Sequence, residues 1–516
     1  MRLGTRVREC SRAGTGAVRR AGVGALALTL MAHVGSPNVF FVGNAGPYPV
    51  TVIVRPPQVV PGLAEITVRI PESQAVGVKR VVVRPVFWAT GKRGSPAGDE
   101  ATRVAAPEPT YTGKLWFMQG GSYSVYVDVE GARGTGTVTV PVAAVATGQL
   151  PLSGTLKALL VVLGFVLFFG MLTIVRGAAG ESLVPPGAQP DTKRRRSARL
   201  ATAIALPVLV LATFGGWKWW TGEATAYQRT LYRPLGVSTS IRPGAVGPVF
   251  RLEITDSAWL ARRITAIIPD HGKMMHLFLI RDSTQDAFAH LHPAMVDSNS
   301  FETVLPTLPP GRYRVYGDVV HESGFERTLV STIDVPATAP GASAAPADAD
   351  DTFDATARAT PLGTGAASDL GDGLRLTSEP VAPPLVAGRP VELRFHLADA
   401  AGKPVAAEPY LGMPAHAVVN RRDGSVFIHL HPMGTVSMAA QQAFALRDRG
   451  DTTATGRLKL DDPAMAAMGM AMGAPDGRLS FVYEFPKPGA YRMWVQIKQS
   501  GKVRTAAYDI GVAASN

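Results

Sequence analysis

The chain has 516 residues, 46% of them apolar and 18% charged, with a formal net charge of +12 and one cysteine. That length suits several domains rather than a single fold, and the composition fits a globular protein that also carries membrane sequence. Cys10 lies in what reads as a leader sequence, so the mature chain excludes disulfides, cysteine-type structural zinc and a blue-copper centre, which needs a thiolate.

In residues 1–32, Arg2, Arg6, Arg8, Arg12, Arg19 and Arg20 precede the apolar run from Val23 to Ala32, the pattern of a secretory signal peptide. Cleavage after Ala32 would make His33 the first residue, and a terminal amine with its own imidazole is a ready copper chelate. Residues 33–150 are short runs rich in Val, Thr and Ile broken by Gly and Pro, which predicts a first exported β-sandwich. Uncharged stretches then predict transmembrane helices over 156–176 and 200–220, each near the ~20 residues needed to cross a bilayer.

Between the two spans, residues 177–199 hold the basic run Lys193 to Arg196, which places this loop in the cytoplasm and both flanking regions outside. Residues 1–32 contribute a net +5 and Arg176 to Arg199 a net +4, so most of the basic excess steers membrane insertion. Nucleic acid is therefore not expected as a partner. Trp217, Trp219 and Trp220 fall where the second span meets the outer interface, as an aromatic belt requires.

The β texture returns over 232–337 and 370–516, separated by 338–369, a stretch rich in Ala, Pro, Gly, Thr and Asp that reads as a flexible linker. The two units it joins are then expected to move independently. The fold class predicted is mainly β: three immunoglobulin-like β-sandwich domains plus a two-helix transmembrane hairpin. Three matching strand starts support related units, namely Gly121-Ser122-Tyr123, Gly311-Arg312-Tyr313 and Gly489-Ala490-Tyr491.

The chemistry concentrates in the last two units. Met274-Met275-His276 is followed by His290-Leu291-His292-Pro293, and Met413-Pro414-Ala415-His416 by His429-Leu430-His431-Pro432. The lone histidine precedes the pair by 14 residues in one copy and 13 in the other, so a duplicated unit with a site in each copy is expected. Seven of the ten histidines lie in or beside these clusters.

In a strand, alternate side chains share a face, so His290 with His292, and His429 with His431, project together while Ala289, Leu291, Ile428 and Leu430 turn to the core. Adding His276 or His416 from a neighbouring strand completes a triad. Met275, Met413 and His271 are further candidate ligands. Imidazole with an optional thioether suits copper, and three imidazoles also suit zinc. Met465, Met468, Met470 and Met472 form a separate soft cluster. His321 aligns with Gln499 and reads as structural, and His396, without a counterpart and set among apolar residues, is left out of the site.

At these motifs the chain resembles the exported YtkA-like and CopC-like β-sandwich proteins associated with copper handling. The resemblance covers roughly residues 235–336 and 371–513 and implies metal binding outside the cytoplasm, not catalysis. The expected protein is thus a non-enzymatic copper-capturing, buffering or delivering protein of the cytoplasmic membrane, its domains facing the periplasm or cell exterior, with the metal ion, the membrane and a copper-handling protein as partners. A structural or adhesive sandwich protein and a copper-dependent redox enzyme are the alternatives. No His-Glu-x-x-His, Gly-x-Ser-x-Gly or nucleotide-binding motif supports an enzyme.

Overall fold

The computed structural model describes residues 38–185, 187–337, 348–355, 358–450, 452–453, 457–459 and 473–515. The expected signal peptide, His33 and the Met465 to Met472 run lie outside the described residues. The chain is mainly β, with six largely antiparallel sheets and two long apolar helices. The sheets are arranged in three pairs, each pair enclosing its own apolar core.

Alternation drives each pairing. In Gly62–Arg69, for example, Ala64, Ile66 and Val68 point inward while Leu63 and Glu65 face out. The three expected strand starts are real. Gly121, Gly311 and Gly489 open strands Gly121–Gly131, Gly311–His321 and Gly489–Gln499 at φ of 137°, 139° and 132°, a region that favours glycine. The tyrosine two residues on bonds back four residues in every case. Tyr313 and Tyr491 donate to the carbonyls of Pro309 and Lys487 at 2.8 and 2.6 Å, and Tyr123 accepts from the Gln119 amide at 3.2 Å.

The helices Gly154–Glu181 and Thr192–Thr230 are each long and apolar enough to cross a membrane, and none of their apolar windows is buried in the protein. Ser153 and Asp191 cap them, accepting from the amides of Leu156 and Arg194. The second helix outruns the predicted span by ten residues at its C-terminal end, and that end is held by the first unit. The Val60 amide donates to Tyr227 Oη at 3.2 Å, and the Tyr232 amide to the Ala146 carbonyl at 2.8 Å.

The stretch 338–369 was expected to be a flexible linker, and the structure corrects this over its described part. Thr352–Asp354 adds a strand to Phe288–Leu291 in the second unit, and Ala359–Pro361 lies parallel to Lys502–Ala513 in the third. A polar, Asp-rich composition suggests solvation, but open strand edges on both neighbours supply the backbone partners.

Independent motion of the two units is overturned as well. Their outward sheet faces are aromatic and pack together: Phe288 stacks on Trp494 with ring centroids 4.9 Å apart, and Phe427 on Tyr316 at 4.0 Å. Each pair takes one ring from each unit, related by the internal repeat. Polar contacts frame the aromatic patch. Gln285 donates to Asn420 Oδ1 at 2.9 Å, Arg492 to the Gln285 carbonyl at 2.6 Å and Arg314 to the Arg422 carbonyl at 3.1 Å.

A helix absent from the sequence reading, Met438–Arg449, lies between the strands of the third unit. Its alanine face packs on Ile268 and Val320 of the second unit, and Phe444 meets Trp88 of the first edge-on. The first unit also clamps the loop after His431. The Val42 amide donates to the Met433 carbonyl, the Thr435 amide donates to the Phe40 carbonyl, and Phe41 bridges to Gly434. Gly434 has φ 108°, and a Cβ there would sit 2.1 Å from the Phe40 carbonyl oxygen.

Trp494→Ala removes a fully buried ring from the joint between the second and third units and is expected to cost about 3–5 kcal/mol. Thermal unfolding of the full-length protein in detergent checks this, with exposed Trp116→Ala expected to leave Tm nearly unchanged.

Candidate metal centre

The histidines sit where sheet register and the repeat put them. In the second unit, strand His276–Arg281 pairs with Gly311–His321 on one side and Phe288–Leu291 on the other, setting His276 opposite Asp318 and Phe278 opposite His290. In the third, His416–Arg421 pairs with Gly489–Gln499 and Phe427–Leu430, setting His416 opposite Gln496 and Val418 opposite His429. Ala289, Leu291 and Leu430 turn into the cores, as alternation predicts, and Ile428 packs against the core of the third unit. The imidazoles face the other unit.

Ahead of each lone histidine is a two-residue turn. Asp270 and Lys273 exchange backbone hydrogen bonds around His271 and Gly272, and Tyr410 and Met413 do so around Leu411 and Gly412. Both central residues of each turn have positive φ, 52° at His271 and 50° at Leu411, the signature of a type I′ turn. Positive φ is uncommon outside glycine, and histidine is one of the residues that adopts it most readily. The turn carries the His271 ring across the unit boundary, to 5.4 Å from His416 and 5.6 Å from His431 between centroids.

A site in each copy was expected: His276, His290 and His292 do gather within the second unit, but the two triads adjoin across the unit boundary, where His271 of the second unit joins His416 and His431 of the third. His276 lies 5.3 Å from His429, and His290 5.6 Å from His429. Within units, His290–His292 and His429–His431 are both 4.6 Å apart. Groups from each unit also reach the other's rings. Gln496 Oε1 and Tyr410 Oη lie 2.9 and 3.2 Å from His290 Nδ1, and Asp318 Oδ2 lies 3.8 Å from His429 Nδ1.

All seven side chains are buried, yet their hydrogen bonding is incomplete. His292 Nδ1 lies 2.9 Å from Asp351 Oδ1, which also accepts the His292 amide, and His431 Nδ1 lies 3.3 Å from the Val436 carbonyl. These partners hold each ring through Nδ1 and leave its Nε2 unbonded, as a carboxylate or carbonyl behind a metal-bound histidine does. The Nε2 atoms of His271, His292, His416, His429 and His431 have no hydrogen-bond partner, nor has His416 Nδ1, and His271 Nε2 lies 3.8 Å from Asp270 Oδ1.

His276 Nδ1 and His290 Nε2 are 3.2 Å apart. His290 Nδ1 has the Gln496 oxygen as acceptor, and His276 Nε2 has the Asp270 carbonyl at 3.3 Å. When both neutral rings donate to those oxygens, two lone pairs face one another, and the other tautomer of either ring turns the contact into a hydrogen bond. A cation between them resolves that conflict, since two nitrogens 2.0–2.1 Å from one tetrahedral ion are about 3.3–3.4 Å apart.

Burial is the first cause holding the pKa values of His276, His290, His416 and His429 well below the usual imidazole value, with neighbouring rings adding to it. His431 is pushed down to about 4, again by burial first. These rings are neutral at pH 7, the state that can bind a metal. Burial raises Asp318 and Glu326 to about 7. Both line a cavity of about 150 Å³ that ends on His276, His429 and His431 and is bordered by Asn38 and Val39 of the first unit.

The other predicted ligands divide. Met275 is corrected: its side chain belongs to the apolar core of the second unit, with the sulfur set to meet any Cβ at Gly317, because it lies one residue out of phase with His276. Met413 is buried in the Tyr410 turn, and Met274 packs against the core of the second unit. His321 stands apart, its Nδ1 2.7 Å from the Thr265 carbonyl and its pKa lowered to about 4 by burial, while His396 pairs with Glu379 at 2.5 Å. The sequence reading missed Asp270, Asp318, Asp351, Tyr410 and Gln496. Of these, Asp270 and Tyr410 had a signal, their matching places two residues ahead of the repeated glycine.

Comparisons with known proteins bear on the same stretches. A family model described as a domain of unknown function (DUF8832) matches residues 245–337 and 369–514. No curated protein matches the chain. Among solved structures, the chain is similar to dimeric latent PorU from Porphyromonas gingivalis, with 6% identity, 88% of this chain and 32% of that one covered, and a TM-score of 0.14. For native Escherichia coli alpha-2-macroglobulin the values are 12%, 92%, 25% and 0.15, and for the E. coli adhesin FdeC 11%, 93%, 98% and 0.14. The chain thus spans about a third of PorU and a quarter of the macroglobulin. Scores this low carry no functional argument.

The lowered imidazole pKa values set the response of the metal-free protein to pH. Unfolded histidines protonate below about 6.5 while the buried ones stay neutral, so the unfolded state binds more protons and stability falls as pH drops from about 6.5 toward 4. Asp318 and Glu326, raised in the folded state, act oppositely between about 4 and 7, but six lowered rings, His321 included, outnumber two carboxylates. Tm of chelator-treated protein is expected to fall between pH 6.5 and 5, and His416→Gln with His429→Gln to flatten that slope in a thermal-shift series.

Proposed function

We propose that this chain is a membrane-anchored metal-binding protein that holds copper in the shared histidine centre, outside the cytoplasm, for capture, buffering or delivery. The observation that carries this reading is the set of five buried imidazole Nε2 atoms without hydrogen-bond partners, from both units, around one centre. A buried polar atom left unpaired costs on the order of 1–3 kcal/mol, so a fold that gathers several of them is explained by a ligand that satisfies them. A cation suits neutral imidazoles. Copper accepts nitrogen ligands readily in this thiol-free site, and zinc is the competing ion.

The rest of the chain fits that role. With the Lys193 to Arg196 run on the cytoplasmic side, the apolar helices anchor the protein and all three sheet pairs lie outside. The tyrosine bonded to backbone four residues upstream supports an immunoglobulin-like reading of each pair. The likeness to YtkA-like and CopC-like proteins points to the same compartment and cargo.

Elemental analysis of protein purified from its native membrane tests the reading directly, with copper as the expected metal. Replacing His292 and His431 together by alanine is expected to reduce the bound metal at least tenfold. Unchanged metal content in that variant, with the fold intact by circular dichroism, would overturn the assignment. Stripping the metal with a chelator is expected to lower the stability by about 2.7 kcal/mol relative to protein held at a hundred times its Kd, seen as a fall in Tm.

A further inference from the structure

We infer that the centre takes two cations side by side rather than one, a deepening that rests on the metal-binding reading above. The seven rings are too many for a single ion, which binds four to six donors. They also divide on their own. Ligand atoms of His276, His290 and His292 lie within 4.8 Å of one another, and so do those of His271, His416 and His431, with no residue in common.

The division follows the repeat. His276, His290 and His292 of the second unit correspond to His416, His429 and His431 of the third, and in each copy the last histidine has its Nδ1 on a fixed oxygen, Asp351 in one and Val436 in the other. In the second set, His271 takes the place that symmetry would give His429, which frees His429 to stand between. Its ring is 5.3 Å from His276 and from His416 and 4.6 Å from His431, with Nε2 buried and unpartnered. His429 is therefore the seventh ligand, available to either ion.

Charge narrows the cation. Repulsion scales with the product of the charges, so two monovalent ions at a given spacing repel about a quarter as strongly as two divalent ones. Four carboxylates stand near the seven rings: Asp351 2.9 Å from His292 with Asp348 in the same group, Asp270 3.8 Å from His271, and Asp318 3.8 Å from His429. The pair of sites thus suits Cu(I), an ion content with two or three nitrogen donors.

The test is native mass spectrometry of the full-length protein in detergent, loaded with Cu(I) without oxygen and freed of excess metal by a competing chelator. Two ions per wild-type chain are expected, and one each in His292→Gln and in His431→Gln. One ion in the wild type overturns the pair while leaving metal binding intact, and none overturns the metal-binding reading itself. Two ions retained in both variants overturn the assignment to these histidine sets. The wild-type count needs no variant to fold. Loading with Zn(II) alone is expected to give a single ion, and two would overturn the argument from charge.

Discussion

Everything in the site depends on the packing of two sheet faces that a solitary sandwich would leave in water. Phe288 on Trp494 and Phe427 on Tyr316 are repeat-related stacks, each worth about 0.5–1.5 kcal/mol beyond its buried area. They bring the His-x-His strands of the two units face to face. Without that contact each triad would be a rim of solvated imidazoles on a strand end. With it, the rings lose water together and acquire partners from the opposite unit.

Desolvation then does chemical work. A ring removed from water resists protonation, so burial keeps the lone pairs free at neutral pH, and the neighbouring rings reinforce the effect by mutual repulsion of their charged forms. Asp351, the Val436 carbonyl and the Asp270 carbonyl fix how individual rings turn. The same groups make the centre asymmetric although the repeat is nearly symmetric. Asp318 stands opposite His276 where Gln496 stands opposite His416, and His271 occupies a turn position that its counterpart fills with Leu411.

Much of this was legible in the chain before its coordinates. The period of two in His290-Leu291-His292 and His429-Leu430-His431 gave the facing of both triads, and glycine before tyrosine marked three strands. What could not be read is whatever depends on two units meeting. Phe288, Phe427, Tyr316 and Trp494 look like core residues of their own sandwiches, since alternation tells a strand's two faces apart but not what covers the second one. Asp351 sits in a tract whose composition signals solvation. Met275 was misassigned because its neighbour His276 is a site residue, and adjacent strand positions point to opposite sides.

The clamp of Val39–Ala45 on the loop after His431 has a mechanical consequence. Tyr232, two residues beyond the second apolar helix, borders the same cavity as Asn38 and Val39, and the first unit grips that helix end through Val60. The hairpin is thus no loose tether between separate beads: it is bolted at its base to the body that holds the histidines. The cavity that reaches the histidines therefore opens beside the foot of the apolar hairpin, so a shift of that helix end would be felt directly at the cavity wall.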